Sequence, residues 1–174
     1  MSHEKTPVMP QGLMPVDEAL ALVTHDVRAL PAETVEISAA VGRVLAAPLT
    51  ARRSQPPADM SAMDGYAFGY GPDLALPASW TVIGESAAGR PFEGTIAHGE
   101  AVRIFTGAVL PAGADTVAIQ ENVARAGDGI SLKAPVARGR NVRLAGFDFQ
   151  AGSPLLPQGR RLSGRDVMLA AAAD

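Results

Sequence analysis

Residues 123–132 read VARAGDGISL. Ala126-Gly127-Asp128-Gly129 stands between β-type residues at Val123 and Ile130, and a Gly-Asp-Gly centre offers the positive backbone angles a tight hairpin demands. Outward from this hairpin, short β-type runs alternate with glycine and proline: Tyr66–Phe68, Trp80–Ile83, Ala101–Phe105, Thr116–Gln120 and Ile130–Leu132. No helical period interrupts them. Residues 52–143 are therefore expected to form an all-β unit, a barrel or a sandwich.

The flanks differ. Residues 1–12 hold Pro7, Pro10 and Gly12 without periodicity and read as a loose arm. From Pro15, the residues Val16, Ala19, Leu20, Val23, Val27 and Leu30 recur at helical spacing, so a helix is expected to run to Pro31. Thr34–Ile37 and Val41–Leu45 read as short strands. After Gly146, Pro154-Leu155-Leu156-Pro157 is an extended segment, and Gln158-Gly159 turns it. Ser163 then caps a helix over Asp166–Ala173, with Asp166 three residues on as in a capping box. That helix reaches the last residue without a stop signal and is expected to be cut rather than finished. The expected class is α+β, mostly β: a discontinuous linker and dimerisation domain, 1–51 plus 144–174, with the all-β domain 52–143 inserted into it.

Composition narrows the function. Apolar residues make up 47% of the 174, which suits a packed core. A net charge of −3 and a pI near 5.6 leave no cationic stripe for phosphates, so no nucleic acid is expected. Arg52-Arg53 and Arg160-Arg161 are the only adjacent basic pairs and read as solvated edges. The absence of cysteine removes disulfides, thiolate metal sites and cysteine nucleophiles. No signal peptide is visible, and the longest apolar candidate, Val167–Ala173, is far short of the roughly 18 residues of a membrane helix. A cytoplasmic protein without membrane contact is expected.

Several chemistries are missing. Neither a G-x-G-x-x-G nor a Walker lysine loop occurs. His3, His25 and His98 show no metal-ligand spacing. Gly84-Glu85-Ser86-Ala87-Ala88 approaches a nucleophile elbow, but β-type segments flank it where a strand–turn–helix is required. Two constellations remain. DMSAMDGYAF (59–68) packs two aspartates among methionines and aromatics, and RIFTGAVLPAGAD (103–115) carries a second polar–glycine junction. Asp64-Gly65 and Thr106-Gly107 each set a small polar residue beside a glycine at a strand end, where backbone approaches a ligand closely and N–H groups face an anion. Both are also ordinary turn pairs.

SAMDGYA, RIFTGAVLPAGADTVAIQE and GRNVRLAGFDFQAGSPLLPQGRRL resemble the N-terminal domains I and II of the molybdopterin molybdenumtransferase family, from about Leu13 onward. The resemblance implies an enzyme that inserts molybdate into (adenylylated) molybdopterin, the last step of molybdenum-cofactor synthesis. It implies an elongated homodimer whose cleft lies between the molybdopterin-binding domain of one subunit and the inserted β domain of the other. It maps Asp64 and Thr106 as catalytic residues presented in trans, Ser61, Gly65 and Gly107 as substrate or anion contacts, and Asp64 as a metal ligand. Mg2+ and molybdate or molybdopterin belong to the full-length family. With the partner's C-terminal molybdopterin-binding domain missing, none is expected to bind tightly to this chain alone, which is expected to be inactive. The chain departs from the pattern at Met60, where many members carry Asn, and over 143–148, where they carry a more charged run. The alternative is a short non-catalytic paralogue acting as a dimerisation or binding module.

Overall fold

The computed structural model describes Gly12, residues 14–71 and residues 78–174. The expected loose arm lies outside these residues except for Gly12. By its contacts the chain divides into two compact units, Met1–Val35 and Glu36–Asp174.

The first unit contains helix α1, Val16–Thr24. Asp17 and Glu18 stand in its first turn, where the positive end of the helix dipole favours them. It ends well before the expected Pro31. The Thr24 hydroxyl donates back to the Leu20 carbonyl at 2.8 Å, and the chain tightens through His25 N–H to Leu22 O and Val27 N–H to Thr24 O. Such local bonds compete with the helical ladder. Val27 and Leu30 therefore fall outside the helix, and α1 buries no residue.

The second unit is built from strands β1 (Leu49–Thr50), β2 (Met60–Ser61), β3 (Gly65–Phe68), β4 (Ser79–Ser86), β5 (Glu100–Ile104), β6 (Thr116–Ile119), β7 (Val123–Ala126), β8 (Gly129–Leu132), β9 (Val142–Arg143) and β10 (Pro154–Leu156), followed by helix α2 (Gly164–Ala173). Thr34–Ile37 is not a strand. Residues 34–36 pair with no strand among the described residues, and Ile37–Ala39 closes into one 3-10 turn. Over the expected strand Val41–Leu45, only Val44 forms a bridge, to Arg161.

Six strands form one sheet in the order β6-β3-β5-β4-β8-β7. The β7–β8 hairpin turns at Gly127-Asp128, pairing Ala126 with Gly129; Gly127 takes the positive φ of 59° that a tight hairpin places at its first central residue. The two edge strands, β6 and β7, are joined only by the 3-10 turn Gln120–Asn122. A flat sheet would hold these edges about 24 Å apart, whereas the link reaches at most about 14 Å. The sheet must curl, as the barrel expectation requires. One cluster inside the curl draws Tyr66, Phe68, Trp80, Ala101, Ala118, Val123, Ile130 and Leu132 from all six strands. Phe68 and Trp80 stack there with ring centres 4.2 Å apart.

On the other face of β3, Ala67, Ile104, Ala108 and Val117 form a second cluster. Strand β3 is thus buried on both sides, which is why its sequence runs Gly-Tyr-Ala-Phe rather than alternating with polar residues. Gly65 is required by space. A Cβ there would lie 1.9 Å from the Ala118 carbonyl oxygen of β6.

Residues 42–51 and 151–162 run antiparallel, through β1–β10 and through bonds such as Leu45 N–H to Arg160 O and Leu162 N–H to Arg43 O. Helix α2 packs on the Ile37–Ala39 turn. Ser163 and Asp166 form a complete capping box, and Arg160 adds an ion pair to buried Asp166 at 2.9 Å. At the other end, Arg52 N–H and Arg53 Nε donate to the Ala173 and Ala172 carbonyls. All four paired arginines are exposed, as solvated edges would be, while Arg53, Arg160 and Arg161 also hydrogen-bond through their side chains.

Two outcomes test this packing. Gly65→Ala should lower the melting temperature by roughly 5–10 °C, because strand β3 must move off β6. Gly164→Ala, with nothing within 4 Å of its Cβ, should leave the melt unchanged or raise it slightly. The Ser163 hydroxyl and amide, with Arg160, hold the Asp166 carboxyl down at about 2. Its contribution is therefore present above the ordinary carboxylate range near pH 4 and lost as pH falls toward 2. Chemical denaturation across that window should show Asp166→Asn losing stability less steeply than wild type.

Candidate functional site

Strands β3 and β5 pair antiparallel, Gly65 opposite Ile104, so the residues before β3 and after β5 meet at one rim. Asp64 and Thr106 are brought together there. Asp64 Oδ1 accepts from the Thr106 N–H and from the Thr106 hydroxyl, each at 2.8 Å. β6 ends at the same rim, and the Gln120 N–H holds the Asp64 carbonyl at 3.1 Å. Asp64 is half-buried and Thr106 exposed. The Thr106 N–H and then its hydroxyl hold the Asp64 carboxyl below the usual carboxylate range; partial burial opposes them and the Arg103 charge assists. Asp64 is thus an anion at neutral pH. Because the Thr106 hydroxyl spends its proton on Asp64, its oxygen presents lone pairs outward, as an acceptor.

Ser61, Gly65 and Gly107 lie around this pair, each with an internal role. The Ser61 hydroxyl donates to Met63 O at 2.6 Å, and the residue is buried. The Gly107 N–H donates to Ser61 O at 2.9 Å, and its φ of 80° is the left-handed conformation that favours glycine. The close approach at Gly65 is to backbone of β6.

Ser61, Thr106 and Gly107 line one groove of about 280 Å³ with Gln55, Met60, Arg143 and Asp148. Asp64 reaches this groove through Thr106. Arg143 and Asp148 form an ion pair, and the Phe147 ring lies 5.5 Å from the Arg143 guanidinium carbon. These two polar residues were not among the sequence expectations. β2 pairs with β9, Met60 opposite Arg143, and no local pattern reveals so distant a closure. Asp59, conspicuous in the sequence, is a structural acceptor here: its Oδ1 takes the Ala145 N–H at 2.7 Å.

Ser86 is buried, its hydroxyl donating to Val109 O at 2.8 Å, and a tight Ala87–Arg90 bridge follows it in place of a helix. His25 and His98 are exposed; His3 lies outside the described residues. Among the described residues no group of three His, Cys, Asp or Glu side chains gathers, and no helix is long and apolar enough to cross a membrane. Asp64 Oδ2 accepts no hydrogen bond among the described residues. Mg2+ keeps several waters and takes one or two carboxylates plus substrate oxygens. Asp64 supplies one ligand of that kind and does not by itself build a cation site.

Comparison with known proteins agrees with this architecture. The family model for the MoeA N-terminal region (domain I and II) matches residues 14–173. The chain is 38% identical over 145 residues to the molybdopterin molybdenumtransferase of Nostoc sp., covering 81% of this chain and 33% of that protein. It is 36% identical over 162 residues to the corresponding protein of Synechococcus elongatus, covering 88% and 40%. The molybdopterin biosynthesis moeA protein of Pyrococcus horikoshii superposes with a TM-score of 0.86 at 35% identity, over 93% of this chain and 44% of that one. The chain therefore spans between a third and a half of the length of these relatives. On the match of 14–173 and the shared fold, this chain belongs to the MoeA N-terminal region family, domains I and II.

Proposed function

We propose that this chain forms the N-terminal portion of a molybdopterin molybdenumtransferase, which inserts molybdate into adenylylated molybdopterin in molybdenum-cofactor synthesis in the cytoplasm. The observation that carries the reading is the Asp64–Thr106 pair at the sheet rim: an ionised carboxylate held by one residue's amide and hydroxyl, beside a groove lined by Arg143 and Asp148. The matching relatives bear the molybdopterin molybdenumtransferase name. In this reading residues 52–143 supply one wall of a cleft, and the partner subunit's molybdopterin-binding domain supplies the other. Asp64 fixes the rotamer of Thr106, whose oxygen accepts from a protonated substrate group. The Thr106–Gly107 turn orients an anionic substrate on the Arg143 side. Molybdate and molybdopterin are substrates, and the chain alone is inactive.

The homodimer is part of the same proposal. Val16, Leu20 and Val23 of α1 are 82%, 59% and 77% exposed, and an apolar helix face of this kind is stabilised by a partner surface. Light scattering at micromolar concentration should give twice the 17.9 kDa chain mass; a monomer throughout would remove dimerisation from the reading.

The chemical role of Asp64 has its own test. Asp64→Asn in the full-length protein removes charge and little volume, so its melt should stay close to wild type. Molybdenum-cofactor formation by the same sample should fall about tenfold or more. Asparagine serves as well as aspartate in a turn, so a fully active variant would leave Asp64 a turn residue only.

A further inference from the structure

Arg103 faces Tyr66 across β5 and β3, on the inner side of the curled sheet. It is half-buried, and among the described residues no carboxylate stands within salt-bridge distance of it. The ionised Asp64 lies near enough to feel the Arg103 charge but forms no direct ion pair with it, so the guanidinium N–H groups need other partners. Its Nη1 donates to the Gly65 carbonyl at 3.0 Å and its Nη2 to Gln120 Oε1 at 2.6 Å. The Tyr66 and Phe105 rings lie 5.1 and 4.7 Å from its guanidinium carbon. These groups surround one residue. Gly65 follows Asp64, Phe105 precedes Thr106, and the Gln120 N–H holds the Asp64 carbonyl.

We propose that Arg103 is the positioning residue for Asp64: its guanidinium ties the Gly65 peptide of β3 to Gln120 beyond β6, and thereby holds the Asp64 carboxylate against Thr106. A planar fork that donates in two directions while packing on aromatic rings suits this task, and an ammonium does not. The geometry stands alone; only its kinetic consequence rests on the proposed function.

Arg103→Lys and Arg103→Gln test it, in this chain and in the full-length protein. Amide hydrogen exchange should accelerate about tenfold or more at Thr106 in both variants. Val117 and Leu132, whose amides donate to Arg140 O and Ala78 O, should keep their wild-type protection. In the full-length protein kcat for molybdenum insertion should fall about tenfold with KM within twofold, and Arg103→Lys should add nothing in an Asp64→Asn background. Unchanged Thr106 exchange overturns the proposal, as does a kcat loss that persists undiminished in that background. Faster Thr106 exchange with kcat unchanged upholds the positioning and counts instead against the chemistry assigned to Asp64. Arg103→Lys, which keeps the charge and most of the stem, carries the test if Arg103→Gln fails to fold.

Discussion

The three-residue link between β6 and β7 shapes most of this chain. Gln120–Asn122 joins the two edges of a six-stranded sheet, and so short a link allows only a curled sheet. Curling gives Tyr66, Phe68 and Trp80 a common interior with Val123 and Ile130. It also sets the ends of β3, β5 and β6 at one rim, because Gly65 is opposite both Ile104 and Ile119. The site is built from what lies just beyond those registers: Asp64, Thr106 and Gln120. A one-residue slip of β3 would swing Tyr66 and Phe68 from the inner cluster onto the tightly filled face of Ala67, Ile104, Ala108 and Val117, so the burial of two aromatic rings also fixes where Asp64 stands.

The same economy explains why turn chemistry and site chemistry are hard to separate here. Gly107 needs a positive φ and gives its amide to Ser61 O, and Ser61 spends its hydroxyl on Met63. These bonds make a rigid floor. Rigidity is what a carboxylate needs if it is to hold one hydroxyl in one orientation, since a loose rim would exchange the Thr106 bonds for water. Arg103 adds to that rigidity from the inner side, where it is screened less than a surface charge.

The β-type runs and the Gly127-Asp128 hairpin were legible because their cause is local: alternation, aromatic content and glycine placement. The capping box at Ser163 was legible for the same reason. What failed was decided by competition or by distance. The apolar period through Val27 and Leu30 suggested more helix than Thr24 permits, since a hydroxyl turned back on Leu20 O is not visible in a hydrophobic pattern. Thr34–Ile37 has strand composition and lacks a strand partner among the described residues. Asp64 and Thr106 were singled out by their glycine junctions, yet their pairing bridges a sequence separation of 42. Arg143 and Asp148 required the β2–β9 closure, which no window of sequence contains.

The groove beside Thr106 is small. At about 280 Å³, it falls below the size that buries most of a drug-sized ligand. Its polar side chains are Gln55, a Ser61 committed to Met63 O, the exposed Thr106 and an arginine already paired with Asp148. An ion pair in solvent gains little by staying closed, so Arg143 can turn toward an anion at small cost on the open rim, although water there also weakens the contact it gains. In the proposed reading the partner's wall of the cleft excludes that water and so strengthens what Thr106 and Arg143 can do.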